Sequence, residues 1–129
     1  MAENSFYIED FLRQAVAVGA SDAHIYEGER PAIRVSGQIM RINMPPITSD
    51  DMEFTIRTIA PQHLRDRIQR FFDIDFSYEI VGCSRFRVNL SRQLGKTAMV
   101  IRAIHYYIKK FEELDLPTKL EEFAGFNNG

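Results

Sequence analysis

Residues 73–104, DIDFSYEIVGCSRFRVNLSRQLGKTAMVIRAI, decide the fold. They read as three consecutive strands. In residues 73–80 the apolar set is Ile74, Phe76, Tyr78 and Ile80, and in residues 84–91 it is Phe86, Val88 and Leu90. Both follow the strict period of two that marks a half-buried strand. In residues 96–104 both faces are largely apolar, which predicts a central strand covered on both sides. A one-residue slip moves every side chain to the wrong face, so matching apolar faces fixes the register. Phe86 then pairs with Ala103, Val88 with Ile101 and Leu90 with Met99, leaving residues 93–96 as a four-residue loop. Tyr78 pairs with Phe86 and Phe76 with Val88, leaving Val81-Gly82-Cys83 as a three-residue hairpin loop.

On the opposite face this register sets Arg87 directly across from Arg102. Glu79 faces Arg85, Ser77 faces Arg87, and Asp75 lies diagonal to it. Like charges opposed across a sheet repel. Two offsets are open. One is a carboxylate, from Asp75, Glu79 or a covering helix. The other is a bound anion, such as a phosphate held by a pair of guanidinium forks.

Upstream, Ser5 is a candidate cap for a first helix with Glu9 and Asp10 at its positive end. Ile8, Leu12, Ala15 and Val16 recur at helical spacing, and Gly19 stops the helix. Residues 22–27, DAHIYE, read as a short strand. AIRV and QIMRIN flank Ser36-Gly37, a tight hairpin signal, and the NMPP stretch that follows breaks the sheet. Thr48-Ser-Asp-Asp51 resembles a capping box opening a helix with Met52, Ile56 and Ile59 inward. Pro61 suits the first turn of a further helix with Leu64, Ile68, Phe71 and Phe72 on one stripe. Arg65, Arg67 and Arg70 lie off that stripe as a solvated face. Residues 105–129 read as a charged connector with a short helix near Thr118–Phe123.

Composition agrees with one globular domain. The chain has 129 residues, 45% hydrophobic and 26% charged, with ten Phe, five Tyr and no Trp. No apolar run approaches the ~18–20 residues of a membrane span. A net charge of −2 argues against a general polyanion or nucleic-acid binder. The basic residues are 12 Arg and four Lys. Arg suits bidentate capture of carboxylate or phosphate. The single cysteine, Cys83, excludes an internal disulfide framework. The N-terminus has no basic region of a signal peptide, so a cytoplasmic location is expected.

No catalytic constellation is expected. Gly95-Lys96-Thr97 looks like the end of a P-loop, but the pattern Gly-x-x-x-x-Gly-Lys-[Ser/Thr] needs a glycine where Leu90 stands in a strand. His24, His63 and His105 have no metal-ligand spacing with Cys83, so no metal site is expected. His24 reads as a hydrogen-bonded histidine. Asp73 and Asp75 read as a solvated pair of acids.

Four segments occur in order: GASDAHIYEGERPAIRVSGQIMRIN, DFSYEI-x-G-x-SRFRVN, AMVIRAI, and LDLPTKLEEFAGFNNG. Together they resemble the N-terminal domain of the type II/type IV secretion and pilus ATPases, and within that family the pilus-retraction (twitching motility) type. The resemblance spans roughly residues 18–129. The Ala-Ser-Asp-x-His opening and the Arg-Phe-Arg-Val-Asn strand are jointly the most specific part. Ile25 stands where the family usually has Leu. The short stretch before Ala20 fits the retraction type.

The resemblance implies an α+β, PAS-like domain over residues 1–112, mainly antiparallel sheet with flanking helices. Residues 113–129 are then a connector toward a RecA-like ATPase domain, with the P-loop beyond Gly129. On that expectation this fragment is not itself an enzyme and carries no cofactor, because the P-loop, the Walker B acid and the family's His box are missing. The full-length protein would be an ATPase using ATP and Mg. It would form a homohexamer in which each N-terminal domain packs on the ATPase domain of its own and a neighbouring subunit. It would work at the inner-membrane platform of the type IV pilus without being membrane-embedded. The family's phosphate-contacting arginines map onto Arg87 and Arg102, with Arg85 and Arg92 as further candidates, and Asp75 and Glu79 as their resting partners. Closure on ATP and opening after hydrolysis would drive pilus disassembly. The alternative is a free-standing PAS-like sensor of a small ligand.

Overall fold

The computed structural model describes residues 6–64 and 73–104. Ser5, Ile68, Phe71, Phe72, the arginines at 65, 67 and 70, the connector and the helix expected near residue 118 lie outside the described residues.

The first helix, α1, spans Ile8–Ala17. Its N-cap position is Tyr7, not Ser5, and no side chain caps it. Instead the entering backbone is tied elsewhere: the Phe6 N–H donates to Asp51 Oδ1 at 3.3 Å. Glu9 and Asp10 occupy the first turn, where the helix dipole favours acids. Ile8, Phe11, Leu12 and Ala15 are buried, so Phe11 completes the stripe that Val16 only borders. At the far end Gly19, at φ +83°, donates to the Val16 carbonyl at 3.0 Å, and Ala20 donates to that of Ala15 at 2.9 Å. This pair of bonds satisfies the last carbonyls in a Schellman motif.

Three short strands follow: β1 (Asp22–Tyr26), β2 (Ala32–Val35) and β3 (Gln38–Arg41). Ser36 and Gly37 both have positive φ, as the type I′ turn between β2 and β3 demands. Helix α2, Ser49–Ile59, opens on the expected capping box. The Asp51 N–H donates to Thr48 Oγ1 at 3.0 Å, and the Thr48 N–H donates to Asp51 Oδ2 at 3.1 Å. Met52, Thr55 and Ile59 are its buried residues.

Strands β4 (Asp73–Ile80), β5 (Ser84–Gln93) and β6 (Lys96–Ile104) complete a six-stranded sheet ordered β3-β2-β1-β6-β5-β4. Every neighbouring pair is antiparallel. The register is the one that the apolar faces dictate: Phe86 opposes Ala103 and Tyr78, and Val88 opposes Ile101 and Phe76. The β5–β6 loop is shorter than expected. Gln93 pairs with Lys96, so only Leu94 and Gly95, both at positive φ, make the turn. Gly95-Lys96-Thr97 is thus a hairpin turn running into a strand.

Alternate residues of the sheet, among them Ile25, Ile33, Phe86, Val88, Met99 and Ile101, join the buried faces of α1 and α2 in one core. Full burial of a Phe or Ile side chain contributes about 1.5–3 kcal/mol. β6 is central, and among the described residues its cover lies on one side only. On its other face Ala98 and Val100 are half-buried and Arg102 is exposed. The apolar character of that face reflects flanking strands, not a second helical layer among the described residues. The result is the α+β, mainly antiparallel PAS-like arrangement expected, with one sheet face left open among the described residues.

Candidate anion site on the open sheet face

Strand alternation builds the site. Residues 85, 87, 89 and 91 of β5 point away from the core, as do residues 98, 100 and 102 of β6 and residues 22, 24 and 26 of β1. One row of the sheet therefore reads Arg34, Asp22, Arg102, Arg87, Ser77 from β2 to β4, each residue paired with the next. Three guanidinium groups and one carboxylate share this line.

The carboxylate is the fixed member. The Asp22 side chain is only 9% exposed. Its Oδ2 accepts from Ser21 Oγ at 2.8 Å, and Arg34 Nε stands 3.8 Å from the same oxygen. Its Oδ1 accepts from Arg102 Nε at 3.1 Å. Burial pushes the Asp22 carboxyl up, but the Ser21 hydroxyl, the Arg102 guanidinium and the charge of His24 together hold it below its ordinary value. Next to this cluster His24 shares a 3.0 Å hydrogen bond between Nδ1 and Tyr26 Oη. Burial pushes the imidazole below its ordinary value, Asp22 opposes that, and Arg34 adds to it.

Arg87 differs from Arg102. It is exposed, and no carboxylate among the described residues lies within ion-pair distance of it. Arg85 shares its face one row along and sits 3.9 Å from Glu79. Arg92 opposes Thr97, whose parity is that of the covered face, so Arg92 does not join the row. Asp75 does not reach the arginines. Its Oδ1 accepts from Asn89 Nδ2 at 3.1 Å, and Asp73 Oδ1 accepts from the same nitrogen at 2.7 Å. Asp22 is the residue that sequence reasoning missed. Its signal was an acid at the outward parity of β1, one place before the buried Ala23.

The core offers little space for a small ligand where α1 meets the sheet. The cleft lined by Leu12, Ala15, Ala23, Phe86 and Ile101 amounts to about 10 Å³. That holds one water at most, against the ~300–1,000 Å³ of a ligand pocket. Cys83 sits half-buried in the β4–β5 turn, where burial pushes its thiol up despite Arg13.

No family model matches the sequence. Individual proteins do. The chain is 36% identical over 109 residues to the type IV pilus retraction ATPase PilT of Pseudomonas aeruginosa, covering 84% of this chain and 32% of that protein. It is 32% identical over 94 residues to the twitching motility protein of Neisseria gonorrhoeae, covering 73% of this chain and 25% of that one. Among solved structures, the pilus retraction motor PilT with bound ADP superposes with a TM-score of 0.72 at 30% identity, over 92% of this chain and 35% of that one.

The chain has the sequence and fold of a PilT-like secretion-ATPase N-terminal domain. It spans about a third of the length of the PilT proteins it matches. The Legionella pneumophila ATPase DotB, at 23% identity and a TM-score of 0.69 over 95% of this chain and 36% of that one, shares the fold. In this PilT-like domain the Arg-Phe-Arg-Val-Asn strand is β5, and Asp22 of the Ala-Ser-Asp-x-His opening heads β1.

Proposed function

We propose that this domain works as the N-terminal part of a pilus-retraction ATPase and supplies Arg87 and Arg102 to nucleotide phosphates. The single observation that carries this reading is the opposed pair itself. Two arginines oppose each other on neighbouring strands of this face, and one of them has no carboxylate at ion-pair distance among the described residues. Such a pair is a poor resting arrangement and a good phosphate clamp. The resemblance to PilT proteins supplies the source of the phosphate: a nucleotide held by a RecA-like ATPase domain, with Mg, packed against this face. In a homohexamer the ATPase domain would belong to the same or a neighbouring subunit. Arginine entering from a separate body stabilises charge on the transferred phosphoryl group, and domain closure couples that step to movement. The ring would act on the cytoplasmic side of the inner-membrane pilus platform.

The test uses the ATPase that carries this domain. Arg87→Ala and Arg102→Ala are each expected to lower ATP turnover, by up to the ~10³-fold or more that a finger arginine supplies, while the ring still assembles by light scattering. Unchanged turnover in both variants overturns the reading.

A further inference from the structure

Asp22 and Arg102 differ in a way that assigns roles. Asp22 is held on several sides. Its neighbour Ser21 is pinned by its backbone to both flanking strands, donating from N to the Arg34 carbonyl at 2.9 Å and accepting at O from Ala103 N at 3.0 Å. The Ser21 hydroxyl then fixes Oδ2 of Asp22. Arg102 has a side chain 72% exposed, and its one hydrogen bond to Asp22 uses Nε. A guanidinium has five N–H groups in one plane. Holding it by Nε fixes that plane and leaves both terminal nitrogens without a protein partner among the described residues. Those nitrogens are the ones that take a phosphate in a fork.

We infer that Asp22, buttressed by Ser21, is a positioning residue that orients Arg102 for an anion shared with Arg87. This rests on the phosphate-clamp reading above and adds what that reading lacks, a reason for one arginine to be pre-set. A long exposed side chain loses rotamer freedom when it binds. A fixed carboxylate removes that freedom beforehand. It also draws positive charge toward β1, away from Arg87, without consuming the fork.

A double-substitution cycle in the ATPase that carries this domain tests it. Asp22→Ala is expected to lower kcat about 10-fold or more, the scale on which a misplaced group acts, with KM for ATP changed much less. In the Arg102→Ala background the same change is expected to lower kcat no further. In the 129-residue chain, the Arg102 Nε–Hε cross-peak in a nitrogen-proton NMR spectrum should be protected from exchange, and Asp22→Ala should remove that protection. If Asp22→Ala does not fold, Ser21→Ala takes its place in both measurements, with a smaller loss of kcat that again vanishes without Arg102. If Arg102→Ala itself leaves turnover intact, the clamp reading falls and this inference with it. If Arg102→Ala cuts turnover but the Asp22 or Ser21 variant does not, or if the two losses multiply in full, the clamp survives and positioning by Asp22 is overturned.

Discussion

Arg87 and Arg102 oppose each other on adjacent strands, yet only Arg102 has a carboxylate at hydrogen-bond distance among the described residues. The two arginines should therefore respond oppositely to removal. Arg87→Gln relieves a like-charge pair and is expected to stabilise the domain by about 0.2–1 kcal/mol. Arg102→Gln strips a charged partner from a buried carboxylate and is expected to destabilise it by about 1–3 kcal/mol. Urea unfolding measures both. The Arg87 effect should shrink in 1 M salt, where the screening length falls to roughly 3 Å.

Leu94 sits fully exposed at φ +54°, the first turn position between β5 and β6. A left-handed backbone costs a branched residue about 1 kcal/mol, and Asn carries much less of that cost. Leu94→Asn removes the strain and loses no buried surface. It is expected to raise stability by about 0.5–1 kcal/mol in the same unfolding experiment.

The Asp51 carboxylate does two jobs, closing the α2 capping box and receiving the Phe6 N–H. Thr48→Ala removes only the cap and is expected to cost about 1 kcal/mol. Asp51→Ala removes the cap and the tether of the chain entering α1, so it should cost more. Hydrogen exchange separates the two: the Phe6 amide should lose protection in Asp51→Ala and keep it in Thr48→Ala.

Burial first, with Arg34 adding, holds His24 below its ordinary value despite Asp22. Between the folded value and the unfolded value of about 6.5, the unfolded chain binds the extra proton. Stability therefore rises with pH across that window and is lost as pH falls through it. His24→Phe should flatten the pH dependence of the melting temperature below about pH 6.5, whereas an unchanged slope would reject this source.

The register of β4, β5 and β6 was legible because each strand carries its own alternation and short turns join them. Once Phe86 is set opposite Ala103, Arg87 has no choice but Arg102. The partner of Arg102 was not legible. Asp22 reaches it across the β1–β6 pairing, which no turn connects and no local pattern specifies. The one-sided cover of β6 among the described residues was hidden for a related reason. Ala98 and Val100 look like core residues, yet they are half-buried by neighbouring strands. The start of α1 is not legible either, because Ser5, a hydroxyl near the helix, suggests a local cap while the N-cap position is Tyr7. Here a carboxylate on α2 anchors the entering chain instead.

The sheet is sealed by its first and last strands. Asp22 bonds Arg102 across 80 residues of chain, and β1 has no other neighbour on that side. Pairings so distant in sequence slow folding, since loop entropy is spent before contact is rewarded. A nascent domain on the ribosome can thus build the β1–β3 and β4–β5 parts of the sheet early, but they stay unjoined until β6 has emerged. A truncation that removes β6 (Lys96–Ile104) removes the seam between the halves, and exposes a pair of unpaired strand edges prone to aggregation.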